Sequence, residues 1–202
     1  MGKKKFIPPC HSEGFTLIEV LASIVILSAA ATGIFLFFTH AMKYTAYNQD
    51  KTVAINVARG VLVYMEHLDF SSLKQYVQEE QNSTNEPYAT IDGSKCQLSL
   101  FEDQQVCRAL LQPMINNVQY NEQRIRVFLM PYNDSSQWEA LKKAPPPEFP
   151  PSLRQKLQEE TIENNDSNLQ NYLLKIVVIV RWGDSWEQSE WLEGVVANET
   201  IR

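Results

Sequence analysis

Apolar and polar residues change their pattern twice along this chain. From Phe15 to Phe38 nearly every position is apolar, no proline intervenes, and the only ionisable side chain is Glu19. As a helix rising ~1.5 Å per residue, that run spans ~36 Å, enough to cross a ~30 Å hydrocarbon core with some tilt. Beyond Phe38 the apolar positions narrow to one side. Tyr47, Val53 or Ala54, Val57, Val61, Tyr64 or Met65, and Leu68 recur at helical intervals, while Asn48, Gln49, Asp50, Lys51, Arg59 and Glu66 fill much of the other face. The pattern predicts one helix from about residue 15 to about residue 69, ~80 Å long, apolar all round in its first half and amphipathic in its second. Gly60 weakens it by ~1 kcal/mol relative to alanine, and Asp69, Ser71 and Ser72 mark its end. Val57, Val61 and Leu68 read as core packing, and Gly33 as an ordinary membrane-helix glycine.

Past residue 70 the period shortens. Residues 70–95 are polar and mixed, with Asn82 to Pro87 as a loop and Asp92-Gly93 as a turn. Cys96–Phe101 reads as a short strand. Arg124–Met130 is a stronger one, with Ile125, Val127 and Leu129 on one side. A proline-rich stretch, Ala144–Pro151, then breaks the domain as a stiff surface connection, and Ser152–Glu160 adds a short helix. Tyr172–Trp182 is β-branched and alternating; a turn follows, and Trp191–Glu199 returns, which predicts an antiparallel C-terminal hairpin. Trp182, Trp186 and Trp191 are candidates for an exposed contact patch, with sheet-on-helix packing the better reading for two of the three. No internal repeat is evident.

Charge sets the direction of the apolar run. Lys3, Lys4 and Lys5 precede it, and only Lys43 and Lys51 follow at wider spacing. Positive charge stays inside, so the N-terminus is expected to be cytoplasmic and the polar remainder translocated. The net charge is −6, and once the basic leader is set aside residues 15–202 carry about −8, which argues against a nucleic-acid surface. Cys10 lies upstream of the apolar run, so a lipoprotein reading fails. Cys96 and Cys107 lie in the polar remainder, and outside the cytoplasm they are either a disulfide or two unlinked thiols.

Candidate chemistry is sparse. His11, His40 and His67 are far apart, and no H-x-x-x-H, C-x-x-C or H-E-x-x-H spacing exists, so no metal and no cofactor are expected. There is no phosphate-binding glycine loop and no G-x-S-x-G elbow. Glu79-Glu80 and Glu159-Glu160 read as solvated helix surface. Glu163–Asn168 is rich in oxygen ligands but lacks EF-hand spacing. No catalytic site is predicted.

What remains is Glu19. A carboxylate within hydrocarbon costs roughly 2.5–3.5 kcal/mol on insertion scales, so such a residue usually has a functional partner. A secretory signal cut after Ser28-Ala29-Ala30-Ala31 would start the mature chain on the apolar Ile34 to Phe38, and a plain single-pass anchor leaves Glu19 unexplained. The lysine leader, then Gly14-Phe15-Thr16-Leu17-Ile18-Glu19 running into an unbroken apolar helix, resembles the N-terminal signal of type IV pilins and pseudopilins. The close match covers residues 1–38, with weaker similarity to about residue 69. In that family a membrane aspartyl peptidase, the prepilin peptidase, cuts between the glycine and the aromatic residue and methylates the new amino group. The resemblance therefore implies cleavage between Gly14 and Phe15, N-methylation of Phe15, and an assembly role for Glu19. A cationic chain start on a staggered neighbouring subunit then neutralises Glu19. Such a pair selects register more than it adds stability.

The implied fold is α+β and pilin-like: a leader over 1–14, a transmembrane and filament-core helix over 15–38, an amphipathic helix half over 39–69, and an extracytoplasmic domain over 70–202 ending in a hairpin. The ending Val178-Ile179-Val180-Arg181-Trp182 also resembles, loosely and over about thirty residues, minor pilins of the pilus-modification type and minor pseudopilins of the I class. The expected function is that of a minor pilin or pseudopilin subunit in a pilus, in type II secretion or in DNA uptake. Its expected partners are the prepilin peptidase, other pilin-like subunits, an inner-membrane assembly platform and the membrane. The rival expectation is an unprocessed membrane-anchored binding or enzymatic domain.

Overall fold

The computed structural model describes residues 14–132, 134–160 and 171–198. The lysine leader, Cys10, His11 and the oxygen-rich Glu163–Asn168 stretch lie outside the described residues. The first helix, α1, runs Leu17–Glu66, close to the predicted bounds. The chain divides into two compact units between Tyr47 and Asn48. In the first, α1 is exposed at nearly every position. In the second, α1 buries Ala54, Ala58, Val61 and Met65, spaced four, three and four residues apart. Val57, Tyr64 and Leu68 pack half-buried beside that stripe.

The end signal at Asp69 is also a start signal. Asp69 caps a second helix, α2 (Phe70–Thr84), accepting hydrogen bonds from the Ser72 N–H and hydroxyl at 2.7 and 2.8 Å. Phe70, Leu73 and Val77 are its buried stripe, and Asn85 ends it in the left-handed region at φ 59°. Residues 70–84, read from the sequence only as polar and mixed with a loop from Asn82, are therefore helical. The apolar spacing was present, but polar side chains on the remaining positions masked it.

A four-stranded antiparallel sheet forms the centre, in the order β1 (Ala89–Ile91), β4 (Ile125–Pro131), β5 (Leu173–Arg181), β6 (Ser189–Ala197). Helix α3 (Gln104–Leu111) and a small hairpin, β2 (Met114–Ile115) with β3 (Val118–Gln119), lie between β1 and β4. Asn116 and Asn117 turn that hairpin with φ of 51° and 61°, the primed geometry that matches strand twist. The C-terminal hairpin is present as predicted in type and place. Cys96–Phe101 is not a strand. It follows a 3₁₀ turn (Gly93–Lys95) with further turns, held by Leu98 N–H to Lys95 O and Phe101 N–H to Leu98 O. Cys96, Leu98 and Leu100 face the core while Gln97 and Ser99 are exposed, so burial alternates as in a strand, but successive turns produce it and Phe101 is buried next to Leu100.

The central strands are covered on both faces. Ile125, Val127 and Leu129 of β4 and Leu174, Ile176, Val178 and Val180 of β5 pack into one core with α1, α2 and α3. Phe128, Met130, Val177 and Ile179, on the opposite face, pack with Trp138 and Leu141 of α4 (Ser135–Lys143) and Leu153 and Leu157 of α5 (Pro151–Glu159). The central strands are thus buried on both faces, and their run of apolar residues is continuous rather than alternating. The proline-rich stretch does not break the domain. Phe149 within it is buried and meets Phe128 edge-on, with ring centroids 4.9 Å apart.

Helix α1 lies against β6 at Gly194, where an added Cβ overlaps the ends of Leu62 and Glu66. Trp182 packs on the first core, and Trp186 and Trp191 on the second. None of the three is an exposed platform. Of the paired glutamates, Glu80 bonds the Lys95 ammonium at 2.6 Å and Glu160 lies 3.4 Å from Lys175. One member of each pair is therefore engaged in the fold.

Candidate functional site: the start of the first helix

Gly14 and Phe15 precede the first helical turn, and both are exposed. Thr16 and Glu19 determine where the helix begins. The Thr16 backbone N–H and hydroxyl donate to Glu19 Oε2 at 2.8 and 2.9 Å, and the Glu19 N–H donates to Thr16 Oγ1 at 3.4 Å. With Leu17 as the first helical residue, Thr16-Leu17-Ile18-Glu19 is a capping box, in which threonine and glutamate each satisfy a backbone N–H of the other. The cap leaves the Gly14–Phe15 peptide outside the helix.

This arrangement gives Glu19 a partner within its own chain. The T-x-x-E spacing ahead of an apolar run is a legible start signal. Reading Glu19 only as an unpaired charge overlooked it. The box uses Oε2 alone. No partner of Oε1 is found among the described residues.

The remaining polar side chains of the apolar run are satisfied locally. Ser23 donates to Glu19 O at 2.7 Å, Ser28 to Ile24 O at 2.7 Å and Thr32 to Ser28 O at 2.8 Å. Hydroxyls bonded back to the preceding turn are tolerated in lipid because no polar group is left open. Glu19 is the one ionisable side chain in this segment, and it stands exposed. The apolar side chains need cover: Phe15 is 89% exposed and Leu17 79%. A Cβ added at Gly33 meets nothing within 4 Å. The helix is long and apolar enough to cross a membrane.

The second unit contributes a covalent link. Cys96 and Cys107 are joined as a disulfide, with their Cα atoms 5.6 Å apart and both side chains buried. It ties the turns after β1 to α3, whose eight residues are too few to hold a helix unaided. The exposed His67 ring nitrogen bonds Val63 O at 2.6 Å, and His40 lies on the first half of α1, so neither joins the other in a site. Among the described residues no group of three or more histidine, cysteine or acidic side chains is placed to hold a metal ion.

The helix start is also where the chain is similar to something known. Residues 10–35 match the prokaryotic N-terminal methylation motif, which spans the Gly14–Phe15 bond, the capping box and most of the apolar run. The chain therefore carries a type IV pilin-like prepilin signal, and the α+β arrangement that follows is consistent with the pilin fold. Neither a curated protein nor a solved structure matches the chain.

Proposed function

We propose that this chain is a minor pilin or pseudopilin: a structural subunit cut by the prepilin peptidase between Gly14 and Phe15 and N-methylated on Phe15. On this reading it is delivered by an inner-membrane assembly platform into a filament of like subunits. The N-terminus starts in the cytoplasm, residues 15–38 form the transmembrane and then filament-core segment, and residues 39–69 with 70–202 make up the part beyond the membrane. The observation carrying the proposal is the coincidence of the methylation motif with a helix start that keeps the cleavable bond outside the helix and leaves Glu19 half-satisfied. The new amino group of one subunit supplies what Oε1 of its neighbour lacks, so the charge pair sets the register of assembly. A buried disulfide fits an oxidising compartment for the domain.

The same geometry separates processing from assembly. Glu19→Gln keeps a carbonyl oxygen for the capping box but removes the charge. It is expected to be cleaved normally and to be absent from sheared filaments, measured by immunoblot of membrane and filament fractions. Normal incorporation of the variant removes the charge pair from the account. Gly14→Val is expected to leave the full-length chain uncut, seen as a slower band on a gel.

A further inference from the structure

Where the apolar run of α1 ends, one face of the helix changes chemistry. His40, Lys43, Tyr44 and Tyr47 recur at helical intervals and form a single stripe. All four are exposed, Tyr44 at 68%. From Val20 to Gln49 the only side chains besides the tyrosines that can carry charge are His40 and Lys43, and both are bases. The first acid after Glu19 is Asp50, two turns beyond Lys43 and ~10 Å further along the axis. Neither base has an ion-pair or hydrogen-bond partner among the described residues. Lys51, by contrast, is held by Glu190 at 3.1 Å. The neighbouring hydroxyls are already used: Thr39 donates to Leu36 O at 2.8 Å and Thr45 to Ala41 O at 2.9 Å. The stripe therefore offers a positive charge beside aromatic rings, with no carboxylate of its own to meet it.

Its position along the helix fits a membrane boundary. At ~1.5 Å per residue, His40 lies ~38 Å and Lys43 ~42 Å from Phe15. That is past a ~30 Å hydrocarbon core and within the ~40–45 Å that includes the headgroups. Helical side chains lean toward the N-terminus of their helix, so Lys43 and Tyr47 reach back toward that layer rather than away from it. Tyrosine collects at this depth because its ring is apolar and its hydroxyl polar. Phe37, one turn before His40 on the same stripe and 70% exposed, carries the face on into hydrocarbon.

We propose that this stripe binds the headgroup phosphate of an anionic phospholipid on the outer side of the membrane, with Lys43 as the counter-charge and His40 and Tyr44 beside it. The charges are complementary: a lysine ammonium with no acid near it meets a phosphodiester with no cation of its own. A zwitterionic lipid brings its own ammonium, which competes with Lys43 for the phosphate. The aromatic rings and Phe37 favour an anion carried on acyl chains over free phosphate. A lipid held in this way fixes the depth of the helix in the bilayer. The inference rests on the membrane-anchored reading, but not on cleavage or filament assembly.

The test places the full-length chain in vesicles of equal parts phosphatidylglycerol and phosphatidylcholine, with a photo-crosslinking residue at position 42, next to Lys43 but off the stripe. Mass spectrometry of the adducts reads which lipid stands there. Phosphatidylglycerol is expected to be captured about fivefold more than phosphatidylcholine. Lys43→Gln is expected to bring the ratio close to one, while Lys43→Arg keeps it. Added glycerol phosphate is expected to leave the ratio unchanged. Equal capture of the two lipids, or a ratio that Lys43→Gln does not move, overturns the proposal with the anchor intact. Loss of the preference to glycerol phosphate shows a site for free phosphate, and an adduct with a second copy of the chain in place of lipid shows a protein contact; either overturns it too. A chain that washes out of the vesicles at alkaline pH overturns the anchored reading, and this inference with it.

Discussion

The two halves of α1 share one backbone and one continuous hydrogen-bond pattern, yet their apolar residues meet opposite fates. Between Leu17 and Phe38 large apolar side chains stand exposed, whereas Ala54, Ala58, Val61 and Met65 are sealed beneath the sheet. The first half is uniformly apolar and has no polar face to turn to water. Its stability has to come from lipid or from other helices. The second half has a stripe of small and medium side chains that lets the sheet approach closely. One helix thus carries two addresses, one answered by the chain and the other left to partners.

A charge placed in each half sharpens that contrast most. Val61→Asp buries an uncompensated carboxylate and is expected to unfold the domain, by several kcal/mol, with loss of the domain's cooperative melting in circular dichroism. Ile26→Asp is expected to leave domain melting unchanged while lowering recovery in the membrane fraction. Equal effects of the two substitutions on melting break the comparison.

The outer layer gives the next largest effect. Phe128 is buried between Tyr88 and Phe149, and Phe128→Ala is expected to cost about 3–5 kcal/mol by denaturant titration. A surface connection in the proline-rich stretch would have made it nearly silent. Replacing both Cys96 and Cys107 by alanine is expected to cost about 2–3 kcal/mol, given the short loop they close. Hydrogen exchange is expected to rise chiefly around α3.

The smallest effect is one of pH. Burial alone pushes the Glu193 carboxyl up, but the Lys156 hydrogen bond and the Lys175 and Lys156 ammoniums outweigh it and hold its pKa below the ordinary glutamate value. A group depressed in the folded state contributes fully above its unfolded pKa and loses that contribution as pH falls through the folded one. Glu193→Gln is therefore expected to lower stability slightly near neutrality and to flatten the loss of stability on acidification below the glutamate range. Glu193 is partly exposed, so the change is small. An acid limb as steep as that of the unsubstituted chain contradicts the assignment.

Much of this contrast was legible in the order of residues. The apolar run, the amphipathic half and the C-terminal hairpin are regular over many residues, and their period survives noise. The signals that were misread are short or double-edged. Asp69 followed by Ser72 ends one helix and begins the next, and only the stripe Phe70, Leu73, Val77 distinguishes the two roles. Leu173–Val180 carries apolar residues on both faces, which means cover on both sides. Taken as simple alternation, it hid α4 and the covering role of the short helix that Ser152–Glu160 did announce. The stretch after β1 alternates in sequence and in burial from Cys96 to Leu100, yet it is built of turns, so the pattern alone did not distinguish it from a strand. At the helix start, Thr16 and Glu19 formed a recognisable capping pair, but an apolar setting drew attention to the charge and away from the cap. What no single sequence displays is a partner for Glu19 Oε1, which the proposed assembly places on another molecule.

Mass spectrometry of the N-terminal peptide from membrane-extracted protein, in cells with an active prepilin peptidase, tests the central claim most directly. The account predicts a chain beginning at N-methylated Phe15. A chain that still carries the residues before Phe15 contradicts it, because no new amino group is then available to Glu19.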